Sequence, residues 1–363
     1  MMYQSNNPGP NNSTQLQTRL EPLLEGYKDY LTNQCRKIGL PKNLLNIDEH
    51  LKGLRELPEA SSSSGEGLHL FENSAGDPEG FCTIELVTLP QANNKKVAFI
   101  DNVFLGKSAN QPEANFESSL AQHCRNVIKH VPAEASSVSL VTFSSDNNKK
   151  NVYKSLGAGD EPLCICPILE LSEAKKITGD KGTPHRYSDE ASKSLEAARE
   201  IAKIVYDYRK RRTDKAIKNN APYKWPQPDE QHLTNHANYI YDRLLGCPDI
   251  PSTIVKDNRS VVAAGIGVAK PVQLNWSSKA PLSLGANDLS LSLDDFYVKL
   301  GKDWSEFGRT LFADIINQIS NKKVKYVQFV QNEFDTESIE FGRDIGAKPC
   351  VEMYSLPFKR TSS

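Results

Sequence analysis

Hydrophobic residues change period along this chain, and each change marks an element. Leu289, Leu291 and Leu293 alternate with Ser290 and Ser292, which is strand spacing. A short polar loop follows, ending Glu306-Phe307-Gly308-Arg309. Then Leu311, Phe312, Ile315, Ile316 and Ile319 recur at helix spacing. Nearer the start, TQLQTRLE reads as a first strand. Pro22 suits a first helical position, and Leu23, Leu24, Tyr27, Leu31, Cys35 and Ile38 give an amphipathic helix. Leu44, Ile47, Leu51 and Leu54 predict a second helix. GLHLFEN and GFCTIELV flank the turn-rich SAGDPE as a hairpin. Val97–Leu105 and Val138–Ser144 read as strands, with a helix between them and another over Asp146–Leu156. LCICPILEL reads as an edge or interrupted strand because of Pro167.

The second half begins after a linker at roughly 172–184. Ser188 caps a long helix, another runs from about Asp229 to Leu245, and STIVKDNRSVVAAGIGV is a hairpin around Asp257-Asn258. Each half thus reads helix, helix, hairpin, strand, helix, strand, helix, strand. This predicts a mixed α/β (α+β mixed sheet) fold in two domains, 14–175 and 184–363, behind a disordered segment 1–13.

The halves also match residue by residue. FIDNVFL (99–105) aligns with SLDDFYV (292–298), placing Asp101 on Asp294 and Leu105 on Val298, an offset of 193. VSLVTFSSDNNKKNVYKSLGA aligns with VQFVQNEFDTESIEFGRDIGA, placing Asp146 on Asp335 and Gly157 on Gly346, an offset of 189. Two blocks in one order at nearly one offset indicate duplication.

A helix N-terminus presents unpaired N–H groups and the positive dipole end, which suits a phosphate. Gly308 admits close approach, and Lys302 and Arg309 add charge. A plain strand–helix unit with no ligand accounts for the same residues. The strand–loop–helix resembles the acyl-CoA-binding motif of the GNAT N-acetyltransferase superfamily. In that family a bulged strand ending in Val meets an Arg/Gln-x-x-Gly-x-Gly/Ala loop and then a helix; Val298, Gly308 and Leu311 fall at its spacing. Asp303 and Glu306 stand at its Arg/Gln and first Gly positions. Asp146 to Ala158 resembles the family's Asn-x-x-Ala-x-x-x-Tyr-x-x-x-Gly-Phe, with Tyr153 and Gly157 in place. The second copy has Gly342 at the Tyr position, where Tyr354 or Tyr297 are candidate substitutes.

The resemblance implies tandem GNAT-like domains and acyl transfer, most simply acetyl, from acetyl-CoA to a primary amine. It implies Tyr153 as the acid that protonates the leaving thiolate, and Asp101, Asp294 or Glu85 as base. Each reads equally as a packed or hydrogen-bonded residue. The implied CoA contacts are Phe296, Tyr297, Val298, Lys302, Glu306, Phe307, Gly308, Arg309 and Thr310 in the second copy. In the first they are Val103, Phe104, Leu105 and Lys107. The rivals are a tandem GNAT-fold binding or scaffold protein that has lost catalysis, and an aminoacyl transferase.

Composition narrows this further. A net charge of −1 over 363 residues argues against general nucleic-acid binding. Seven cysteines without CxxC indicate a reducing compartment. With no signal peptide and no membrane-length apolar run, a cytoplasmic protein is expected, with export by a signal-independent route left open. No metal is expected: His232 and His236 share a helix face but lack an evident third ligand. The run Arg209-Lys210-Arg211-Arg212 reads as a solvated helix end, or as a hold for a phosphate, an import receptor or an acidic membrane. The loop around Tyr223, Lys224 and Trp225 reads as the rim of an acceptor pocket or as a packed surface loop.

Overall fold

The computed structural model describes residues 10–40, 45–60, 65–89, 95–106, 113–160, 162–187, 189, 194–218, 229–246, 250–284, 288–332 and 335–356. The first half contains helices α1 (Pro10–Lys37) and α2 (Ile47–Glu56), then strands β1 (Gly67–Glu72), β2 (Pro78–Leu89) and β3 (Lys95–Leu105). It continues through α3 (Glu113–Lys129), β4 (Ala135–Phe143), α4 (Asn147–Ser155) and β5 (Cys164–Glu170). A short helix, α5 (Leu171–Ala174), and strand β6 (Thr183–Arg186) lie where a plain linker was expected. The second half repeats the order with α6 (Leu195–Lys218), α7 (Glu230–Gly246), β7 (Ser252–Asp257), β8 (Ser260–Pro271) and β9 (Leu289–Val298). A π-helical turn (Trp304–Gly308) leads into α8 (Arg309–Asn317), then β10 (Val324–Phe329), the two-residue β11 (Gln331–Asn332), α9 (Thr336–Asp344) and β12 (Lys348–Leu356).

All strands among the described residues join one 12-stranded sheet in the order β1-β2-β3-β4-β12-β5-β10-β9-β8-β7-β6, with β11 on β5. The closing strands are exchanged. β12, from the second half, lies antiparallel to β4 of the first, and β5, from the first half, lies antiparallel to β10 of the second. β5 is therefore interior, not an edge. Its Pro167 sits opposite Pro349 at a register shift, so neither residue is asked for an N–H it lacks.

Within β3 the side chains alternate faces. Val97 and Phe99 pack with α1 and α2, whereas Ala98 and Ile100 pack with α3 and α4. Both duplicated strands carry a bulge, and the two overlap in the aligned block. β3 fits Asp101 to Phe104 against Thr83 to Phe81, and β9 fits Leu293 to Asp295 against Gly267 and Ile266. Asn102 takes φ 52 there.

The halves interlock a second time. The arm 272–284, between β8 and β9, lies against the first half. Val272, Leu274, Leu282 and Leu284 are at most 2% exposed and belong to the core of α1 and α2. Four such side chains contribute about 1.5–3 kcal/mol each, a sum comparable with a whole domain's stability of about 5–15 kcal/mol.

Several expectations change. TQLQTRLE is helical, not a strand, and Pro22 is inside α1. Pro10–Ser13, within the segment 1–13 expected to be disordered, are in α1. Leu16, Leu20 and Leu23 bury the same face as Leu24 and Tyr27, so helix period outweighs the local polar alternation. Ser188 lies outside the described residues, and the hydroxyl of Ser194 caps α6 by accepting from Ala197 N at 3.0 Å. Among the described residues no helix is long and apolar enough to cross a membrane, and all six described cysteines are free and buried.

The exchanged strands predict that residues 1–175 and 184–363, expressed separately, fail to fold, and that co-expression restores a complex. Circular dichroism and thermal melting of each half check this. A cooperative melt from either half alone would contradict it.

Candidate functional site

In each half the two parallel strands part. β3 and β4 pair through Ile100 and Leu140, and β9 and β10 pair through Leu293 and Phe329. Beyond those points the strands diverge, and the divergence is where a ligand would enter such a sheet.

In the first half the gap is a polar throat of about 20 Å³, room for about one water. Asp101, Asn102 and Val103 line it from β3, Val141 to Phe143 from β4, Tyr27 and Tyr30 from α1, and Asn275 from the arm. Lys149 passes through it. This lysine starts on α4, on one face of the sheet, and its Nζ donates to the Tyr30 hydroxyl of α1, on the other face, at 2.7 Å. Tyr30 donates to Asp146 Oδ2 at 2.7 Å, and Lys149 Nζ is 3.7 Å from the same carboxylate. Asp146 also caps α4 through Lys149 N. The buried charges are thus paired and hydrogen-bonded, as burial requires. Burial lowers the Lys149 pKa, opposed by Asp146 and Asp101. Burial raises that of Asp101, opposed by hydrogen bonds from Asn102 N and Trp276 N.

The arm closes the throat from the α1–α2 side. Asp101 accepts from Trp276 N at 2.8 Å, and Asn275 Nδ2 reaches Asn102 Oδ1 at 3.2 Å. His50 Nδ1 donates to Ala280 O at 2.9 Å, and its Nε2 is 3.3 Å from the Tyr27 hydroxyl. Tyr27 in turn lies 3.1 Å from Asn102 Oδ1. Glu85, half-buried on β2, accepts from Ser278 N at 2.9 Å and from the Ser278 hydroxyl. Asp101 and Glu85 are therefore anchors for the arm. Tyr153 is fully buried and donates to Val141 O at 3.0 Å; burial raises its pKa well above the usual tyrosine value.

The second-half gap is apolar. Phe296 stacks on Phe341 with centroids 5.6 Å apart and lies 6.0 Å from Trp304 and 6.3 Å from Phe329. Phe307 and Phe312 complete this cluster. The stretch expected to be an open loop is helical. Gly308 has φ −64 and ψ −38, and a Cβ on it would meet the Phe341 ring at 3.2 Å. Asp303 accepts from Ser305 N at 2.7 Å and Glu306 N at 3.2 Å, so a carboxylate already holds the anion position at this helix start. Hydrogen bonds from Ser305 hold that carboxyl below its usual pKa. The linker covers the next turn: a Cβ on Gly179 would fall 2.2 Å from Thr310 N. Lys181 pairs with Glu306 at 3.6 Å, and Lys302 with Asp257 at 2.8 Å.

Of the other expected contacts, Val103 and Leu105 pack toward α3, and Phe104 packs toward α1. Val298 and Thr310 are buried, Arg309 is half-buried, and Tyr297 packs on Tyr208. Tyr354 donates to Glu352 at 2.8 Å. Lys107, the Asp294 side chain and the 223–225 loop lie outside the described residues. Among the described residues no group of three or more His, Cys, Asp or Glu is placed to hold a metal. His232 pairs with Asp229 instead, and His236 faces Asp295 at 3.7 Å.

Sequence reading missed Lys149, Tyr30, Asn275 and the arm. Lys149 left a signal, since it falls at the small Ala position of the Asn-x-x-Ala-x-x-x-Tyr pattern. The arm left none, because its partners are more than 170 residues away in sequence.

Two bulged, parting strand pairs in one mixed sheet, each followed by helix, strand, helix and strand, repeat one arrangement in the two halves. No family model matches the chain, and no curated protein matches it. Solved structures similar to it include a GCN5-related N-acetyltransferase from Sphaerobacter thermophilus, at 11% identity and TM-score 0.42, covering 89% of this chain and 88% of that one. A tandem GNAT protein from the clavulanic acid biosynthesis pathway has 10% identity and TM-score 0.38, covering 85% and 87%. A GNAT-family acetyltransferase from Colwellia psychrerythraea has 8% identity and TM-score 0.40, covering 81% and 86%. These are likenesses of fold.

Burial lowers the His50 pKa to about 4. Between the ordinary value near 6.5 and about 4 the unfolded chain binds a proton that the folded chain does not. Stability should therefore fall as pH drops through that window, by roughly 3 kcal/mol from this group. Urea unfolding at pH 7 and pH 4.5 for the protein and for His50→Gln checks it; an unchanged pH slope in the variant would contradict it.

Proposed function

We propose that this chain is a GNAT-fold binding or scaffold protein that does not transfer acyl groups from CoA. The observation that carries the reading is that its own side chains occupy both gaps. Lys149 and its partners leave about 20 Å³ in the first, whereas ligand pockets run to roughly 300–1,000 Å³. The aromatic cluster around Phe296 fills the second. The groups a transferase would need are committed elsewhere. Tyr153 donates to a backbone carbonyl, Asp101 and Glu85 hold the arm, and Asp303 stands where a diphosphate would have to bind. A carboxylate there repels the ligand and forms the hydrogen bonds the phosphate would use.

A second reading, acyl transfer from acetyl-CoA to an amine by the first half, rests on a specific feature. The bulge at Asn102 is kept, and beside it stand a carboxylate, a tyrosine and a lysine. That reading requires Lys149 to leave the gap and the arm to lift.

Calorimetry with acetyl-CoA distinguishes the two. The scaffold reading expects no saturable binding up to about 1 mM, an affinity no better than about −4 kcal/mol. Micromolar binding, abolished when a bulkier side chain is placed in the first gap by Val141→Trp, would overturn it in favour of transfer.

A further inference from the structure

The basic run on α6 is divided by the helix. Arg209 turns inward to Asp295, at 3.9 Å, and Arg212 acts on Tyr297. Lys210 and Arg211 face outward and join Lys215 and Lys218, at the three- and four-residue spacing of one helical face. Together with Asp207, Asp214 and the exposed Leu300 they line a groove of about 330 Å³. This groove is open to solvent and shares no lining residue with the first strand gap.

Its charge is uneven. Four cations face two carboxylates, a balance of +2 among the lining residues. Glu337, from α9, offsets part of this by pairing with Arg211 and, at 4.0 Å, with Lys215. Lys210 and Lys218 are exposed and make no ion pair among the described residues. Clustered like charges on one helix face repel by a few tenths of a kcal/mol per pair. An anion placed between them removes that repulsion and adds charge-assisted hydrogen bonds.

We propose that this groove binds a phosphorylated polyol. Lysines and Arg211 would take the phosphate oxygens. Asp207 and Asp214, two turns apart on the same face, would accept hydroxyl protons. The carboxylates of an acidic peptide would be opposed by both Asp207 and Asp214. The volume lies at the small end of ligand pockets, about the size of one substituted ring. Leu300, 43% exposed, stands at the edge of the groove. The ligand is either a free polyol phosphate or the headgroup of a lipid carrying the same chemistry.

The test uses the full chain and inositol trisphosphate, with unphosphorylated inositol as control, followed by calorimetry. Saturable binding of the trisphosphate alone is expected. Lys210→Ala/Lys218→Ala should weaken it about tenfold, or about 1.4 kcal/mol, whereas Lys322→Ala/Lys325→Ala, in a different groove, should leave it unchanged. These are surface positions, and circular dichroism reports whether each variant keeps the fold. Asp207→Asn/Asp214→Asn should weaken binding through lost hydroxyl contacts. Tighter binding in that variant would reduce the site to general anion attraction and overturn the polyol assignment. Co-sedimentation with phosphatidylcholine vesicles, with and without a phosphoinositide, identifies the source. Capture stronger than the soluble headgroup affords assigns the lipid, and equal affinity assigns the free polyol. No binding of either, or equal loss in both lysine pairs, overturns the proposal.

Discussion

Two parallel strands that part inside a sheet leave a gap that must be filled, because an unpaired buried polar group or an empty space each costs free energy. A ligand can fill it, and so can the protein. This chain does the latter in both halves, with opposite chemistry. The first gap takes a lysine chain whose charge is paired on the far face by Tyr30 and Asp146. The second takes a packed set of aromatic rings around Phe296. The copies differ at aligned positions: Lys149 of the first falls on Ser338, and Phe341 of the second falls on Val152.

The same constraint explains how the halves depend on each other. The first throat is polar, so its ceiling must supply hydrogen bonds as well as area. The arm of the second half does both, offering Trp276 N and Asn275 to the bulge while burying Leu274 and Leu282. Exchange of β5 and β12 then makes separation of the halves impossible without opening three interior strand pairs, β4–β12, β12–β5 and β5–β10. Duplication supplied two similar units, and interlocking made them one.

The order of elements was legible in the sequence because periods of 2 and 3.6 are local. So was the repeat, carried by Asp101 and Asp294 and by Gly157 and Gly346. Both bulges fall inside the first of those matched blocks. The strand exchange was not legible, since the apolar pattern of β12 suits β10 and β4 equally. The start of α1 was misread because Thr14–Glu21 alternates polar and apolar residues over a window too short to separate the two periods. The loop at Glu306 was misread for an electrostatic reason. Asp303 is a cap, and a cap and a phosphate cradle ask for the same backbone donors.

The most direct test is a crystal structure grown with saturating acetyl-CoA. Our account predicts Lys149 Nζ at hydrogen-bond distance from the Tyr30 hydroxyl, with no ligand density between β3 and β4 or between β9 and β10. A pantetheine chain lying in either gap, with Lys149 or Phe341 displaced, would contradict it.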